Sequence, residues 1–278
     1  MGQSRRCASR CRTGSILMLT AVACAAATAA AAATIGGEVT AVTDYIFRGI
    51  SENDGRPAGQ LDVHVAANNG LFAGMWATTL SGPRATAPPP GATTTGPAGD
   101  FEIQPYVGMR FVLSSNWNAT VSAVDYTYIH HEYRGSDDYQ ELSVAFQYLD
   151  TLTFSVAASP NAVHYWRGFR VGRYAGYDAS VSGEWPLLGP LLATAGAGYY
   201  YLSGPSSHTS RLTTSTGTVT VTNDWGTQGY GYGNVGLALE HGPWRLDVGY
   251  YFSDKQAENL FPYSAQNNRA AATLSWRF

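Results

Sequence analysis

The titratable side chains of this sequence are few, and many fall at even spacing. Asp44 and Arg48, Asp62 and His64, Glu102 and Arg110, Asp178 and Glu184, Arg245 and Asp247, and Arg269 and Arg277 are pairs of this kind. In an extended chain successive side chains point to opposite faces, so each pair shares one face. With Asp125, Glu141 and Glu240 they form rows of opposite charge. Such rows can line a polar conduit and set its ion selectivity, or pair across a filled interior. Asp44 and Arg48 read either as a constriction or as an interior ion pair that holds the first strand in register.

Covalent chemistry has less support. A phospholipid hydrolase needs a Ser and a His within hydrogen-bond reach. His208 and Ser210 have one-face spacing, but they sit in a Ser/Thr-rich stretch where it arises by chance. His130, His131 and Glu132 are adjacent, so as a strand they point to opposite faces, and no metal-ligand spacing supports them. No catalytic residue, metal site or cofactor is expected. His164, Tyr165 and Trp166 with Arg167, Arg170 and Arg173 suit anionic sugars of lipopolysaccharide, or ordinary rim aromatics and surface charge.

The elements that must carry these residues are strands. Trp244, Leu246, Val248, Tyr250 and Phe252 alternate with Arg245, Asp247, Gly249 and Tyr251; Ala270, Ala272, Leu274, Trp276 and Phe278 alternate with polar or small residues. The same unit recurs near 37–48, 59–67, 71–80, 100–111, 117–128, 139–148, 152–158, 176–185, 191–202, 230–240, 244–252 and 268–278. Intervals after even-numbered strands are short, and those after odd-numbered strands (49–58, 81–99, 129–138, 159–175, 203–229 and 253–267) are long. Short periplasmic turns alternating with long external loops predict an all-β, transmembrane, antiparallel outer-membrane β-barrel of about twelve strands. The stretch Thr216–Thr222 reads as part of a hairpin within the last long loop but one.

Composition agrees. Charged residues are only 13% of 278, while Gly numbers 31 and Tyr 18. Arg5, Arg6, Arg10 and Arg12 precede the apolar stretch Ile16–Ala23 and an Ala-rich run, which reads as a secretory signal peptide over residues 1–33. The single barrel domain is then 34–278. It carries 13 basic and 20 acidic residues, a net charge of −7, and none of the three cysteines. Nothing in it is basic enough for nucleic acid.

If apolar faces meet lipid, the lumen receives Asp44, Arg48, Asp62, His64, Glu102, Arg110, Asp125, Glu141, Asp178, Glu184, Glu240, Arg245, Asp247, Arg269 and Arg277. Strands 71–80 and 117–128 are apolar on both faces, so their orientation stays open. Gly108, Ser143, Ser180, Ser182, Gly196, Gly198, Gly236 and Gly249 fall on the same side and are expected to leave room for water.

The segment Ala272-Thr273-Leu274-Ser275-Trp276-Arg277-Phe278 resembles the C-terminal strand that bacterial outer-membrane barrels present to their insertion machinery. Thr43-Asp44-Tyr45-Ile46-Phe47-Arg48-Gly49-Ile50-Ser51, followed by Pro57, resembles the opening of the TorF family of porin-like barrels, long catalogued as conserved proteobacterial proteins of unknown function. Asp125-Tyr126-Thr127-Tyr128 and Tyr139-Gln140-Glu141-Leu142 are similar to its middle. The resemblance implies a porin-like barrel and supplies no catalytic residue. The expectation is a bacterial outer-membrane channel for passive diffusion of small hydrophilic solutes, in contact with membrane lipid and lipopolysaccharide. The alternatives are a phospholipase-like barrel, or a closed structural or adhesive barrel acting through its loops.

Overall fold

The computed structural model describes residues 33–80, 100–129, 138–166, 169–204, 207–214, 217–224, 228–261 and 268–278. All of the leader except Ala33 lies outside them, as do His130–Glu132 and the proline-rich stretch 81–99. In chain order the elements are β1 (Ala33–Val42), β2 (Ile46–Phe47), β3 (Ile50–Ser51), β4 (Ala58–Ala67), β5 (Leu71–Leu80), β6 (Asp100–Val112), β7 (Trp117–Ile129) and β8 (Tyr139–Tyr148). There follow β9 (Leu152–Trp166), β10 (Phe169–Leu188), β11 (Leu191–Leu202), β12 (Ser207–Thr214), β13 (Gly217–Asp224), β14 (Gly229–His241), β15 (Trp244–Ser253), the helix α1 (Gln256–Leu260) and β16 (Asn268–Arg277).

Twelve of these strands close into one antiparallel barrel, in the order β1-β16-β15-β14-β11-β10-β9-β8-β7-β6-β5-β4 and back to β1. The seam between β1 and β16 runs from Glu38↔Arg277 to Val42↔Thr273. It is extended by paired hydrogen bonds between Gly37 and the terminal Phe278. Closure leaves the wall no free edge, so its backbone is satisfied internally and its outer surface is free to be apolar.

That surface is apolar in fact. Ile35, Val39, Leu142, Phe146, Val156, Leu237 and Leu274 are exposed. On β15 the outward row runs from Trp244 to Phe252, and every member is exposed. Eight residues at ~3.3 Å each, tilted by ~40°, give a band of roughly 20 Å between an inner and an outer aromatic girdle. The chain is a transmembrane β-barrel of the bacterial outer-membrane type.

Short turns join the strands at the end that holds both termini of the barrel. Gly70 closes one of them at φ +92°, where an added Cβ would lie 2.2 Å from the Arg110 carbonyl oxygen. Leu149 and Asp150 make another with two successive positive φ values, the geometry that matches the twist of a tight hairpin.

At the long-loop end the structure departs from the sequence reading twice. The first strand stops at Val42, and residues 43–57 turn into the barrel instead of continuing the wall. Residues 159–175, expected as a loop, are mostly strand: β9 and β10 pair as far as Trp166↔Phe169. A bulge between Ser159 and Ala162 shifts their register, which accounts for the lost alternation that made this stretch look irregular. The 203–229 stretch contains the two-stranded ribbon β12–β13, as the Thr216–Thr222 pattern suggested.

Candidate functional site

The site is built on residues 43–57. Thr43 is still tied to the seam, donating its backbone N–H to the Ala272 carbonyl. Beyond it the chain folds back on itself as the small hairpin β2–β3, with Phe47 opposite Ile50. The two turn residues, Arg48 and Gly49, have φ values of +50° and +75°. Glycine takes such a turn freely, whereas for arginine it costs about 1 kcal/mol or more. Asn53 fixes the return path, donating its side-chain amide to the Arg56 and Pro57 carbonyls at 2.8 and 2.9 Å.

The hairpin presses across the lumen. Gly49 lies against Tyr232 and the Phe252 carbonyl on β14 and β15. Ile50 is buried with Ala162, Tyr200, Leu202, Tyr230 and the α1 residues Ala257 and Leu260. A second buried group joins Val42, Tyr45, Ala58 and Leu80. The outer half of the barrel is therefore filled by a small apolar core of its own.

Arg48 crosses to the opposite wall. Its Nη2 lies 2.8 Å from Glu141 Oε2 on β8, and its Nε lies 3.1 Å from Asp178 Oδ1 on β10. The three side chains are 11%, 8% and 7% exposed. Tyr232 donates its hydroxyl to Asp178 at 2.8 Å, and Tyr126 reaches Glu141 at 3.5 Å. The guanidinium carbon stands 4.6 Å from the Phe47 ring centre and 5.0 Å from that of Tyr200, within cation–π range. Burial opposes the charge, but Glu141 and Asp178 outweigh it and hold the Arg48 guanidinium well above its usual range.

Asp44 is buried beside Arg48's hairpin but does not pair with Arg48. It is bound by Arg269 on β16 and accepts the Ser51 hydroxyl at 2.6 Å. Burial, reinforced by the Glu102 and Glu52 carboxylates, pushes the phenol of neighbouring Tyr45 well above its usual range, so it stays protonated.

Below the hairpin the lumen opens. A cavity of about 680 Å³ is lined by Glu38, Tyr45, Gln60, Asp62, Trp76 and Tyr251, among others. A second, of about 550 Å³, adjoins it and includes Gln147, Glu184, Glu240, Arg245 and Asp247. Arg245 holds Glu184 at 2.7 Å, Asp247 at 2.8 Å and Glu240 at 3.0 Å. Glu184 and Glu240 are 43% and 42% exposed, so water reaches this cluster. Arg277 joins Glu38 at 2.9 Å. Asp62 accepts from Tyr106 at 2.7 Å and contacts His64 at 2.6 Å.

Most of the expected lumen residues thus do face inward. Glu102 is buried and accepts from Gln104 at 2.7 Å. Arg110 shares its face at the exposed inner end of β6. Asp125 is a correction. The register sets Val124 opposite Glu141 and Asp125 opposite Gln140. Glu141 faces the lumen, so Asp125 and Gln140 face outward, bonded to each other. β7 is one of the two strands with apolar residues on both faces, which is why alternation misassigned it. Asp125 lies as far from Trp117 as Phe252 lies from Trp244. That is the level of the outer girdle, where its 2%-exposed carboxylate accepts from Gln140 and Thr127 instead of meeting lipid.

The small inward residues are a second correction in part: Ser182 and Gly249 border the inner cavity, but Gly108 and Gly198 do not leave room for water. An added Cβ on Gly198 would lie 2.4 Å from the Tyr232 ring, and one on Gly108 would lie 2.3 Å from Phe72. These glycines seat aromatic rings from neighbouring strands and do not open space for water. Glu38 and the tyrosines 106, 126 and 232 were missed as site residues. Glu38 has the same parity as Asp44, a signal that was available. The tyrosine contacts depend on neighbours distant in sequence.

Residues 26–199 match the family model described as bacterial protein of unknown function (Gcw_chp). The chain belongs to this family. No curated protein matches it. Among solved structures it is similar to the NanC porin, with a TM-score of 0.49 and 10% identity over 87% of this chain and 98% of that one. The KdgM porin gives 0.46 and 10% over 87% and 99%. LpxR from Salmonella typhimurium gives 0.45 and 10% over 87% and 99%.

Proposed function

We propose that this member of the Gcw_chp family is an outer-membrane channel through which small hydrophilic solutes diffuse passively, with no covalent chemistry. The observation that carries the reading is the pair of adjoining polar cavities, about 680 and 550 Å³, enclosed by a lipid-facing wall. The resemblance of residues 43–51 to the TorF porin family points the same way. In this reading the hairpin is the constriction, and the carboxylates and arginines below it set selectivity. The inward residues Asp62, His64, Glu102, Arg110, Glu184, Arg245, Asp247 and Arg277 line the path. Signal-peptide cleavage after residue 33, contact with lipopolysaccharide, and delivery to the insertion machinery through the strand ending in Phe278 belong to the same proposal.

The packing of Ile50, Leu202, Tyr230 and Leu260 in the outer half favours a second reading, a sealed barrel acting through its external loops. Reconstitution into planar bilayers separates the two. Discrete conductance steps are expected, and their repeated absence overturns the channel. His208 and Ser210 pair with Asn223 and Val221 in the ribbon apart from the barrel sheet. Phospholipid hydrolysis that disappears in Ser210→Ala would replace the channel by the hydrolase.

A further inference from the structure

The wall around Arg48 has the composition of a receptor site. Two carboxylates from different strands, Glu141 and Asp178, approach one guanidinium at 2.8 and 3.1 Å. Tyr200 offers its ring face at 5.0 Å. Tyr232 and Tyr126 orient the carboxylates with their hydroxyls. These five residues belong to β7, β8, β10, β11 and β14, so the rigid wall supplies the site. The cation it holds comes from elsewhere, on a two-residue turn strained at Arg48.

We infer that Glu141, Asp178 and Tyr200 form a binding site for guanidinium-type cations, which Arg48 occupies as a tethered ligand of the same chain. The physical reason lies in the carboxylates. Both are at least nine-tenths buried, and a buried carboxylate without a partner is strongly disfavoured. Whenever the turn withdraws Arg48, the site must take up protons or another cation. A planar guanidinium meets two carboxylates and an aromatic face better than a spherical ion does, because its donors form a fixed fork and its face stacks. The hairpin then competes with a free guanidinium compound for one site. This goes beyond passive diffusion and holds whether or not the barrel conducts.

The test uses the full barrel in detergent micelles, with ethylguanidinium as probe and sodium or tetramethylammonium chloride at equal ionic strength as controls. In Arg48→Ala, millimolar ethylguanidinium should raise the heat-unfolding midpoint by about 3 °C or more, as ligand binding to the folded state alone requires. Wild type, with its site filled, should not shift. Arg48→Ala combined with Glu141→Gln and Asp178→Asn should lose the response. A wild-type shift equal to that of Arg48→Ala, or no shift in Arg48→Ala, overturns the inference. If Arg48→Ala fails to refold alone, refolding is repeated with the probe. Recovery of the heat-modifiable barrel with ethylguanidinium and not with sodium supports the site, and failure to recover overturns it. Absence of conductance in bilayers would sink the channel reading and leave this one standing.

Discussion

Two arginines divide this barrel. Arg48 sits in the outer half on a two-residue turn and engages two carboxylates that water barely reaches. Arg245 sits in the inner half on a wall strand and engages three carboxylates, two of them nearly half exposed. The contact distances are alike, but the surroundings differ. Removing Arg48 strands buried charge, whereas removing Arg245 leaves charges that water can solvate. One barrel therefore uses the same ion-pair chemistry as a structural lock at one end and as a tunable polar lining at the other.

The largest expected effect tests that contrast directly. Arg48→Ala should lose about 3–5 kcal/mol of stability in urea unfolding of the refolded barrel, and Arg245→Ala only about 1 kcal/mol. Equal losses would break the comparison. Gly198→Ala comes next. Its methyl would collide with Tyr232 and displace the hydroxyl from Asp178, costing about 1–3 kcal/mol by overpacking; a neutral result would mean that the ring has room to move. The seam supplies a smaller term. Thr40 and Ser275 share a hydrogen bond at 3.0 Å between buried hydroxyls, and Thr40→Ala should cost about 1 kcal/mol in the same unfolding measurement.

Salt separates the two ends by a subtler route. Raising ionic strength from 0.05 to 1 M should shrink the Arg245 contribution and leave that of Arg48 nearly unchanged, since screening needs mobile ions near the pair. The smallest effect is expected at Asp125. In the proposed channel, Asp125→Asn should leave the reversal potential where it was, because the side chain faces outward, while Asp247→Asn should move it. A shift at Asp125 would contradict the register of β7 and β8.

The two-residue period was enough to read the wall. On β15 and β16 one face is aromatic or aliphatic throughout, so only one orientation avoids charge in lipid. It failed on β7, where Trp117, Val121 and Ala123 alternate with Val124 and Tyr126 and neither face is plainly polar. There the facing strand decides, since Glu141 draws Val124 inward with it. The 43–57 turn was half legible. Arg48-Gly49 is a turn signal at the end of the 37–48 run, where the alternation through Asp44 and Arg48 hides it, and Asp54-Gly55 lies in the 49–58 interval read as a long connection.

By itself the sequence determined the number of wall strands, the approximate limits of most of them, the sorting of short turns from all but one of the long connections, and the polar character of the inner half of the interior. These follow from local alternation and from the cost of placing charge in lipid, which each strand obeys on its own. Only the tertiary structure decided that the first connection turns inward, that Arg48 pairs with Glu141 and Asp178 and not with Asp44, and that glycines such as Gly198 seat tyrosines. Those outcomes depend on which residues meet across the barrel after closure, and no spacing along the chain records that distance.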